Sequence, residues 1–272
     1  MISNQSTKII WFFFTLFSIP TRTKSLSFTP MHSQNKQPIP RLVLLDRDGV
    51  INHDVGAPGV LQPSQLSLTR NASIAIKNFR NHGCKVAIIT NQSCVGKGLI
   101  TEKDLSKIHD TLLDLLTKNN DDKEEYDDDT IPIDHIFYCT SLRNSGDYRM
   151  KPNPGMIQEA CEMFDVQPSE CVMIGDALRD LQSAATAGVQ NRILVQTGYG
   201  LGIMNDVHAP AFDDIHQEPN TLLIDEEYCK LNGYEKGFQQ QDNDKNSILP
   251  FHYASDLYTA SCWILRNVHS DC

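Results

Sequence analysis

The sequence predicts an α/β fold in which helices cover both faces of a parallel sheet. Five short apolar runs alternate along the chain with segments of helical periodicity. Each run is continuously apolar, which is typical of strands that are buried on both faces. Strands and helices that alternate in this way form doubly wound parallel sheets. A chain of 272 residues is long enough for one such domain with additional segments.

The five apolar runs are the predicted strands, and they lie at residues 42–45, 84–89, 133–138, 171–174 and 192–195. Four helices are predicted. The first spans 72–81, the second begins after Thr101, the third begins at Pro154 and the fourth ends at Gly188. Thr101 has an acidic residue three positions later, which is the spacing of an N-terminal capping box. Proline is favoured in the first turn of a helix, and glycine is favoured just beyond its last turn.

The predicted α/β domain spans residues 41–200, and other segments flank it. Residues 201–247 are polar and lack a sustained period, so we expect an irregular insertion there. Residues 248–272 are expected to form a C-terminal helix, over 253–265, that packs on the core. Within the domain, residues 121–129 hold seven acidic residues, a composition typical of a solvated loop.

Residues 1–40 have the composition of a targeting leader. They contain no acidic residue, and the apolar run at 9–19 is too short to span a bilayer but suits a signal peptide. The segment 25–30 (Ser-Leu-Ser-Phe-Thr-Pro) resembles the cleavage region of plastid-targeting leaders. We expect entry into the secretory pathway and then a plastid, with no membrane segment in the mature chain. The alternative is a disordered extension on a cytoplasmic protein.

The composition excludes several classes of function. The formal net charge is −10, whereas a nucleic-acid surface needs clustered Lys and Arg. The eight cysteines include no Cys-x-x-Cys pair and do not form a disulfide framework. We therefore expect no nucleic-acid partner and a monomeric chain.

Two carboxylates, Asp46 and Asp48, follow the first predicted strand, and Gly49 allows a tight turn directly after them. Ligands of parallel sheets bind beyond the carboxyl ends of the strands, where these side chains would lie. The alternative interpretation is a pair of solvated aspartates in a turn. It becomes less favoured because other strand ends carry matching side chains.

Polar side chains of related chemistry follow the other strands. Thr90 ends the second strand, Lys151 lies in the loop beyond the third, and Asp176 and Asp180 follow the fourth. Carboxylates that converge in this way repel one another unless a cation neutralises them, and oxygen ligands suit Mg²⁺. Lysine and threonine beside the metal would hold a phosphate group. One carboxylate would attack phosphorus, and its neighbour would act as acid and base.

The motifs at these strand ends resemble those of the haloacid dehalogenase superfamily of phosphatases. They are 46–52 (Asp-Arg-Asp-Gly-Val-Ile-Asn), 90–93 (Thr-Asn-Gln-Ser), 151–156 (Lys-Pro-Asn-Pro-Gly-Met), 175–180 (Gly-Asp-Ala-Leu-Arg-Asp) and 194–198 (Leu-Val-Gln-Thr-Gly). The sequences of these motifs are most similar to those of the D-glycero-D-manno-heptose 1,7-bisphosphate 7-phosphatases and the related histidinol-phosphatases. The resemblance covers residues 41–200. It implies a Rossmann-like fold with a minimal cap domain or none.

The resemblance also implies roles for individual residues. Asp46 would be the nucleophile that forms an aspartyl-phosphate, and Asp48 would protonate the leaving oxygen and then activate water. The phosphate ligands would be Thr90, Asn91 and Lys151. The Mg²⁺ ligands would be Asp46, the backbone carbonyl of Asp48, and Asp176, with Asp180 in a supporting position.

Substrate recognition is expected at the rim of the site, where the chain departs from the family pattern. Arg149 and Asn52 are the predicted rim residues, and they lie near the loops at 53–63 and 140–150. The family carries a zinc loop (Cys-x-His, then Cys-x-Cys) at the second of these loops. Here Cys139 is kept, but Ser141 replaces the histidine and 144–150 contain no cysteine. We therefore expect no zinc.

The resemblance predicts a Mg²⁺-dependent phosphatase that acts on a small sugar phosphate, and two alternatives stay open. Histidinol-phosphate phosphatase has the same core with a different rim. A non-catalytic binding module of the same fold is disfavoured because both aspartates of the first motif are intact. A polynucleotide 3′-phosphatase would need a basic groove, which the net charge argues against.

Overall fold

A computed structural model describes residues 38–118, 132–205, 221–231 and 248–266. Its helices are α1 (Ala72–Asn81), α2 (Ser93–Gly96), α3 (Glu102–Lys118), α4 (Gly155–Met163), α5 (Leu178–Ala187), α6 (Gly200–Asn205), α7 (Glu226–Leu231) and α8 (Leu257–Arg266). Its strands are β1 (Leu42–Leu45), β2 (Lys85–Asn91), β3 (His135–Cys139), β4 (Cys171–Gly175), β5 (Asn191–Val195), β6 (Leu222–Ile224) and β7 (Phe251–Ala254). Single 3₁₀ turns lie at Pro63–Gln65 and Pro168–Glu170.

The described strands form one sheet in the order β3-β2-β1-β4-β5-β7-β6. All neighbours are parallel except β6 and β7, which are antiparallel. The predicted Rossmann-like α/β class is thereby confirmed. The chain runs outward from β1 to β3 and then returns to β4 on the other side of β1. Ligands of such sheets bind at this point of reversal, beyond the carboxyl ends of the strands.

Strand β1 shows why a continuous apolar run was needed. Its four residues are fully buried. Val43 and Leu45 belong to one apolar cluster, with residues of α1, α3 and α8. Leu42 and Leu44 belong to a second cluster on the opposite face, with residues of α4 and α5. A strand that contacts helices on both faces cannot alternate polar and apolar residues.

The C-terminal region differs from the expectation of an irregular insertion followed by a helix. The described part of 201–247 contains most of α6 together with β6 and α7, and β7 precedes α8. Residues 253 and 254, which were predicted as helical, belong to β7. Strand β6 has only three residues, and β7 is interrupted by His252, so neither has the continuous apolar run by which β1 was recognised. Helix α8 packs against α1, as the predicted docking on the core requires.

The loops that lead from β1 and β3 into the site contain little regular secondary structure. Residues 46–71 contain a single 3₁₀ turn, and residues 140–154 contain no helix or strand. Neither loop carries a folded cap, as expected. Residues 1–37 of the proposed leader and the acidic run at 121–129 lie outside the described residues. Among the described residues, no helix is both long enough and apolar enough to cross a membrane.

Candidate active site

The carboxyl ends of β1, β2 and β4 bring the predicted polar residues together. Asp46 directly follows β1, Thr90 lies in the last part of β2, and Asp176 directly follows β4. Lys151 reaches the same place from the loop after β3. All four residues are at most 5% exposed. Buried carboxylates and a buried lysine require partners, because an unpaired charge is costly away from water.

Lys151 is the centre of this cluster. Its Nζ lies 2.9 Å from Oδ1 of Asp46 and 2.7 Å from Oδ1 of Asp180, and it donates to the carbonyl oxygen of Ile89 at 2.7 Å. Burial disfavours the ammonium ion, but Asp180 and Asp46 outweigh this effect and raise the pKa of Lys151. The lysine therefore stays charged and fixes the orientation of the Asp46 carboxylate.

The end of β2 positions Lys151 and presents a hydroxyl group. The side-chain amide of Asn91 donates to the carbonyl oxygen of Lys151 and accepts from its N–H, both at 3.0 Å. The Thr90 hydroxyl accepts a hydrogen bond from the amide of Gln92 at 2.9 Å, which leaves its own proton to donate. Asn91 thus holds the lysine backbone, while Thr90 retains a donor for a phosphate oxygen.

Asp176 is enclosed by two glycines. Gly49 and Gly198 both have positive φ, and a Cβ atom at either position would overlap the Asp176 carboxylate. The Oδ2 atom accepts the N–H of Tyr199 at 3.0 Å, and the hydroxyl of Thr197 donates to the carbonyl oxygen of Gly49 at 2.6 Å. The loops after β1 and β5 are therefore fastened to each other around this carboxylate.

The carboxylates of Asp46, Asp176 and Asp180 suit a divalent cation. Each offers an oxygen, and these atoms lie within 4.8 Å of one another. Oδ1 of Asp176 is buried and has no hydrogen-bond partner among the described residues. A buried, unpaired carboxylate oxygen beside two further carboxylates fits a hard cation such as Mg²⁺. The cluster contains the two side chains expected as ligands, Asp46 and Asp176, and adds Asp180, which was expected only in a supporting position.

The electrostatics of the cluster show the need for positive charge. Burial raises the pKa of Asp46 to about 6. Burial, together with the charges of Asp46 and Asp180, raises the pKa of Asp176 to about 8. Protons are therefore bound by the folded chain at pH values where the unfolded chain has lost them.

We predict that the metal-free protein loses stability as the pH rises from 5 to 8. Both folded pKa values exceed that of an unfolded aspartate, so the folded state binds more protons and its advantage disappears as they dissociate. The free energy of unfolding should fall by a few kcal/mol, on the order of 1.4 kcal/mol for each pKa unit. Denaturant unfolding with EDTA at the two pH values measures this. Millimolar Mg²⁺ should restore stability at pH 8, and a metal-independent, rising stability would contradict the prediction.

Asp48 is held in a different environment. Arg47, which is fully buried, contacts it through Nη2 at 2.8 Å, and the amides of Asn52 and Gln92 donate to it at 2.9 and 3.1 Å. Burial alone would raise the pKa of Asp48, but Arg47 and the two amides hold it below its usual value. The pKa values of Asp46 and Asp48 are thus shifted in opposite directions because their surroundings differ.

Comparisons with known proteins agree with this geometry. Residues 60–188 match the model of the haloacid dehalogenase-like hydrolases. The chain is 30% identical to the D-glycero-β-D-manno-heptose-1,7-bisphosphate 7-phosphatase of Haemophilus ducreyi over 164 residues, which are 58% of this chain and 84% of that one. It is 34% identical to the corresponding enzyme of Bordetella bronchiseptica over 160 residues, 59% of this chain and 83% of that one.

The chain belongs to the haloacid dehalogenase-like phosphatases.

A solved structure of the same kind is also similar to this phosphatase. It is the D,D-heptose 1,7-bisphosphate phosphatase of B. bronchiseptica, complexed with magnesium and phosphate. The two chains superpose with a TM-score of 0.60 at 25% identity, and the match covers 84% of this chain and 99% of the other. The similarity therefore extends beyond the 41–200 region of the motifs.

Two predicted rim residues lie elsewhere in this phosphatase. Asn52 is fully buried and its amide donates to Asp48, so it positions the acid and base residue and does not face the rim. The guanidinium of Arg149 pairs with Glu159 of α4 at 2.9 Å and lines a cavity of about 400 Å³ with His135. His135 begins β3, at the opposite end of the strand from the site. Sequence proximity to Lys151 did not determine where the Arg149 side chain points.

The loop between β3 and Lys151 is closed by hydrogen bonds around Asp147. Its carboxylate accepts from the hydroxyl of Ser141, from the N–H of Arg149 at 2.8 Å and from the thiol of Cys139 at 3.5 Å. Its carbonyl oxygen accepts from the amide of Asn153 at 2.8 Å. An aspartate therefore ties together the two ends of the loop between Cys139 and Asn153.

We predict that the purified phosphatase contains no stoichiometric zinc. A structural zinc site needs four cysteine or histidine ligands, and residues 132–155 contain one of each, Cys139 and His135. Elemental analysis after dialysis against zinc-free buffer should find less than about 0.1 zinc per chain, far below the full occupancy expected of a structural site. One zinc per chain would contradict the prediction.

Several residues of the site were not anticipated from the sequence. Arg47 and Gln92 lie inside recognised motifs, but the sequence did not indicate that both side chains would contact Asp48. Tyr199 donates to Asp176 through its backbone N–H. Almost every residue has such a group, so the residue type gave no signal for this role. Arg179 lies between Asp176 and Asp180, and its guanidinium carbon lies 5.6 Å from the centre of the Tyr199 ring.

Proposed function

We propose that this phosphatase hydrolyses a small sugar phosphate with the help of Mg²⁺, through an aspartyl-phosphate on Asp46. The observation that carries the proposal is the state of the Asp46 carboxylate. Its Oδ1 is fixed by Lys151 at 2.9 Å and by the N–H of Arg47 at 2.8 Å. Its Oδ2 has no hydrogen-bond partner among the described residues, and is therefore the oxygen able to attack phosphorus.

The first chemical step follows from these contacts. Oδ2 of Asp46 forms a bond to phosphorus while the bond from phosphorus to the sugar oxygen breaks, and Asp48 gives its proton to that oxygen. Asp48 is ionised in the free protein, but a bound phosphomonoester brings negative charge beside it and raises its pKa. In the second step Asp48 takes a proton from water as the water attacks the aspartyl-phosphate, and inorganic phosphate is released.

Other side chains stabilise the phosphoryl group during both steps. The hydroxyl of Thr90 and the ammonium of Lys151 are placed to contact its oxygens. Asp46 and Asp176, with the backbone carbonyl of Asp48 expected as a further ligand, would hold Mg²⁺. The ion would supply positive charge that lets a phosphate approach the carboxylates.

The substrate class is supported by the similar proteins, which are phosphatases of heptose 1,7-bisphosphate. We propose a sugar bisphosphate as the preferred substrate. The alternative, histidinol phosphate, carries a cationic amine in place of a second phosphate. The cationic Arg179 at the site would repel that amine, so it favours the bisphosphate.

A phosphatase assay with a panel of substrates tests the proposal. Heptose 1,7-bisphosphate, other sugar phosphates and histidinol phosphate should be compared at saturating Mg²⁺ and with EDTA. We expect kcat/KM for a sugar bisphosphate to exceed that for histidinol phosphate by about tenfold or more, and activity to require Mg²⁺. An equal or higher value for histidinol phosphate would reverse the substrate ranking. Absence of Mg²⁺-dependent hydrolysis for the whole panel would overturn the activity.

A further inference from the structure

Arg179 is an exposed cation beside a buried group of carboxylates. It lies in the first turn of α5, between Asp176, which is 1% exposed, and Asp180, which is fully buried. Its own side chain is open to solvent. The guanidinium carbon lies 5.6 Å from the centre of the Tyr199 ring, which itself is 49% exposed. The arginine and the tyrosine therefore lie at the outer edge of the site, on the side of β4 and β5.

The charge of Arg179 is not used within the described part of the chain. The nearby carboxylates are oriented by other groups: Lys151 pairs with Asp180 at 2.7 Å, and the N–H of Tyr199 donates to Oδ2 of Asp176. No carboxylate of the described residues lies within 4.0 Å of the guanidinium, so its N–H donors remain available. The neighbouring residues partly desolvate the guanidinium, which opposes its charge, but Asp180, Asp46 and Asp176 together raise the pKa of Arg179.

Other arginines and lysines in this part of the structure are paired with carboxylates. Arg47 is fully buried and paired with Asp48, and Lys151 is buried between two carboxylates. Arg149 is paired with Glu159, away from the strand ends. Arg179 combines exposure, a position at the strand ends and an unpaired guanidinium.

Tyr199 fixes the direction of the Arg179 side chain. A guanidinium over an aromatic ring gains a cation–π attraction and loses rotational freedom. Tyr199 is itself fixed, because its N–H donates to Asp176 and its hydroxyl contacts Asp54 of the loop at 53–63. The arginine is thus held in place before a ligand binds, which reduces the entropy lost on binding.

We propose that Arg179 recognises the second phosphate of a sugar bisphosphate, the one that is not hydrolysed. The proposal rests on the proposed function and names the residue that selects its substrate. The hydrolysed phosphate must lie deep in the site, at Asp46 and Lys151. The second phosphate is separated from it by the sugar and must lie further out, at the level of an exposed side chain. A guanidinium can donate two parallel hydrogen bonds to a phosphate.

Isothermal titration calorimetry with a matched pair of ligands tests this role. The ligands are heptose 1,7-bisphosphate and heptose 7-phosphate, which differ only in the second phosphate. The full chain carries Asp46→Asn so that neither ligand is consumed, and Mg²⁺ is present. We expect Arg179→Met to raise Kd for the bisphosphate about tenfold or more and to change Kd for the monophosphate less than about twofold.

Further variants separate recognition from indirect effects. Methionine keeps an apolar stem beside Tyr199, and Arg179→Lys keeps the charge but not the two parallel donors, so the lysine variant should be intermediate. Arg149→Met is the control, because its salt bridge lies away from the site, and it should leave both Kd values unchanged. If thermal melting shows that Arg179→Met does not fold, Arg179→Lys is used instead to compare the Kd values for the bisphosphate and the monophosphate.

The outcomes distinguish this proposal from the proposed function. An unchanged ratio of the two Kd values in the Arg179 variants would overturn it, and so would equal weakening of both ligands, which indicates a general electrostatic effect. A parent protein that binds both ligands equally, or neither of them, would also overturn it. Hydrolysis by the wild-type chain is measured separately, so a failure of the proposed activity would be recognised by itself.

Discussion

Replacing Asp46 with asparagine is expected to lower kcat by about 10⁴-fold or more, the scale of loss seen when a catalytic nucleophile is removed. Asparagine has nearly the same shape but cannot attack phosphorus. Because the Asp46 carboxyl is buried and has a raised pKa, loss of its charge should not destabilise the fold at pH 8. Steady-state kinetics and thermal melting at this pH measure both effects.

Asp48→Asn is the matched comparison for this variant. An acid and base residue contributes about 10²- to 10⁴-fold, so this substitution should reduce the rate less than Asp46→Asn does. Incubation of Asp48→Asn with substrate, followed by an acid quench, should reveal phosphate bound to the protein if the second step is the slower one. An Asp46→Asn variant that keeps more than a few per cent of the wild-type rate would show that another group is the nucleophile.

Replacing Lys151 with methionine is expected to remove activity and also to destabilise the protein. Lys151 separates Asp46 from Asp180, and both carboxylates remain buried when it is lost. Removing one partner of a buried ion pair typically costs about 3–5 kcal/mol. Denaturant unfolding at pH 7 should show this decrease in the free energy of unfolding. The loss should be smaller at pH 5, where the carboxylates can be neutralised by protons.

Arg149→Met provides the control for this loss of stability. The Arg149 and Glu159 side chains are each 42% exposed, and ion pairs of this kind contribute about 0–1 kcal/mol. The variant should unfold within that range of the wild type and keep its activity. If Lys151→Met is as stable as Arg149→Met at pH 7, the buried lysine does not hold the carboxylates together.

The strands β1, β2, β4 and β5 could be predicted because they are buried on both faces. The run at 42–45 coincides with β1, and the predicted helix over 72–81 coincides with α1. Asp46 and Asp176 follow strands that are neighbours in the sheet, so parallel topology alone brings them together. The strands β6 and β7 were missed because β6 has only three residues and β7 is interrupted by His252, so neither shows a continuous apolar run like that of β1.

The positions of the long side chains at the rim could not be predicted. Arg149 lies two residues before Lys151, yet a favourable carboxylate, Glu159, lies on the helix that follows the loop. Asn52 lies in a motif whose polar residues were expected to face the substrate, but its amide turns inward to Asp48. Such choices depend on which partner is nearest in space. A single sequence gives the separation of residues along the chain but not the distances between their side chains in space.

The position of β7 has a consequence for where a functional fragment of this enzyme can end. Strand β7 lies between β5 and β6, and it pairs with β5 through residues 193–195. The segment that directly follows β5 contains Thr197, which fastens the loop after β1, and Tyr199, which donates to Asp176. A fragment that stops at residue 200 keeps every recognised motif but leaves β5 as an unprotected sheet edge, a site of fraying and aggregation. The boundary suggested by the motifs is therefore the wrong place to end a fragment, because β7 pairs with the strand that leads directly into Thr197 and Tyr199.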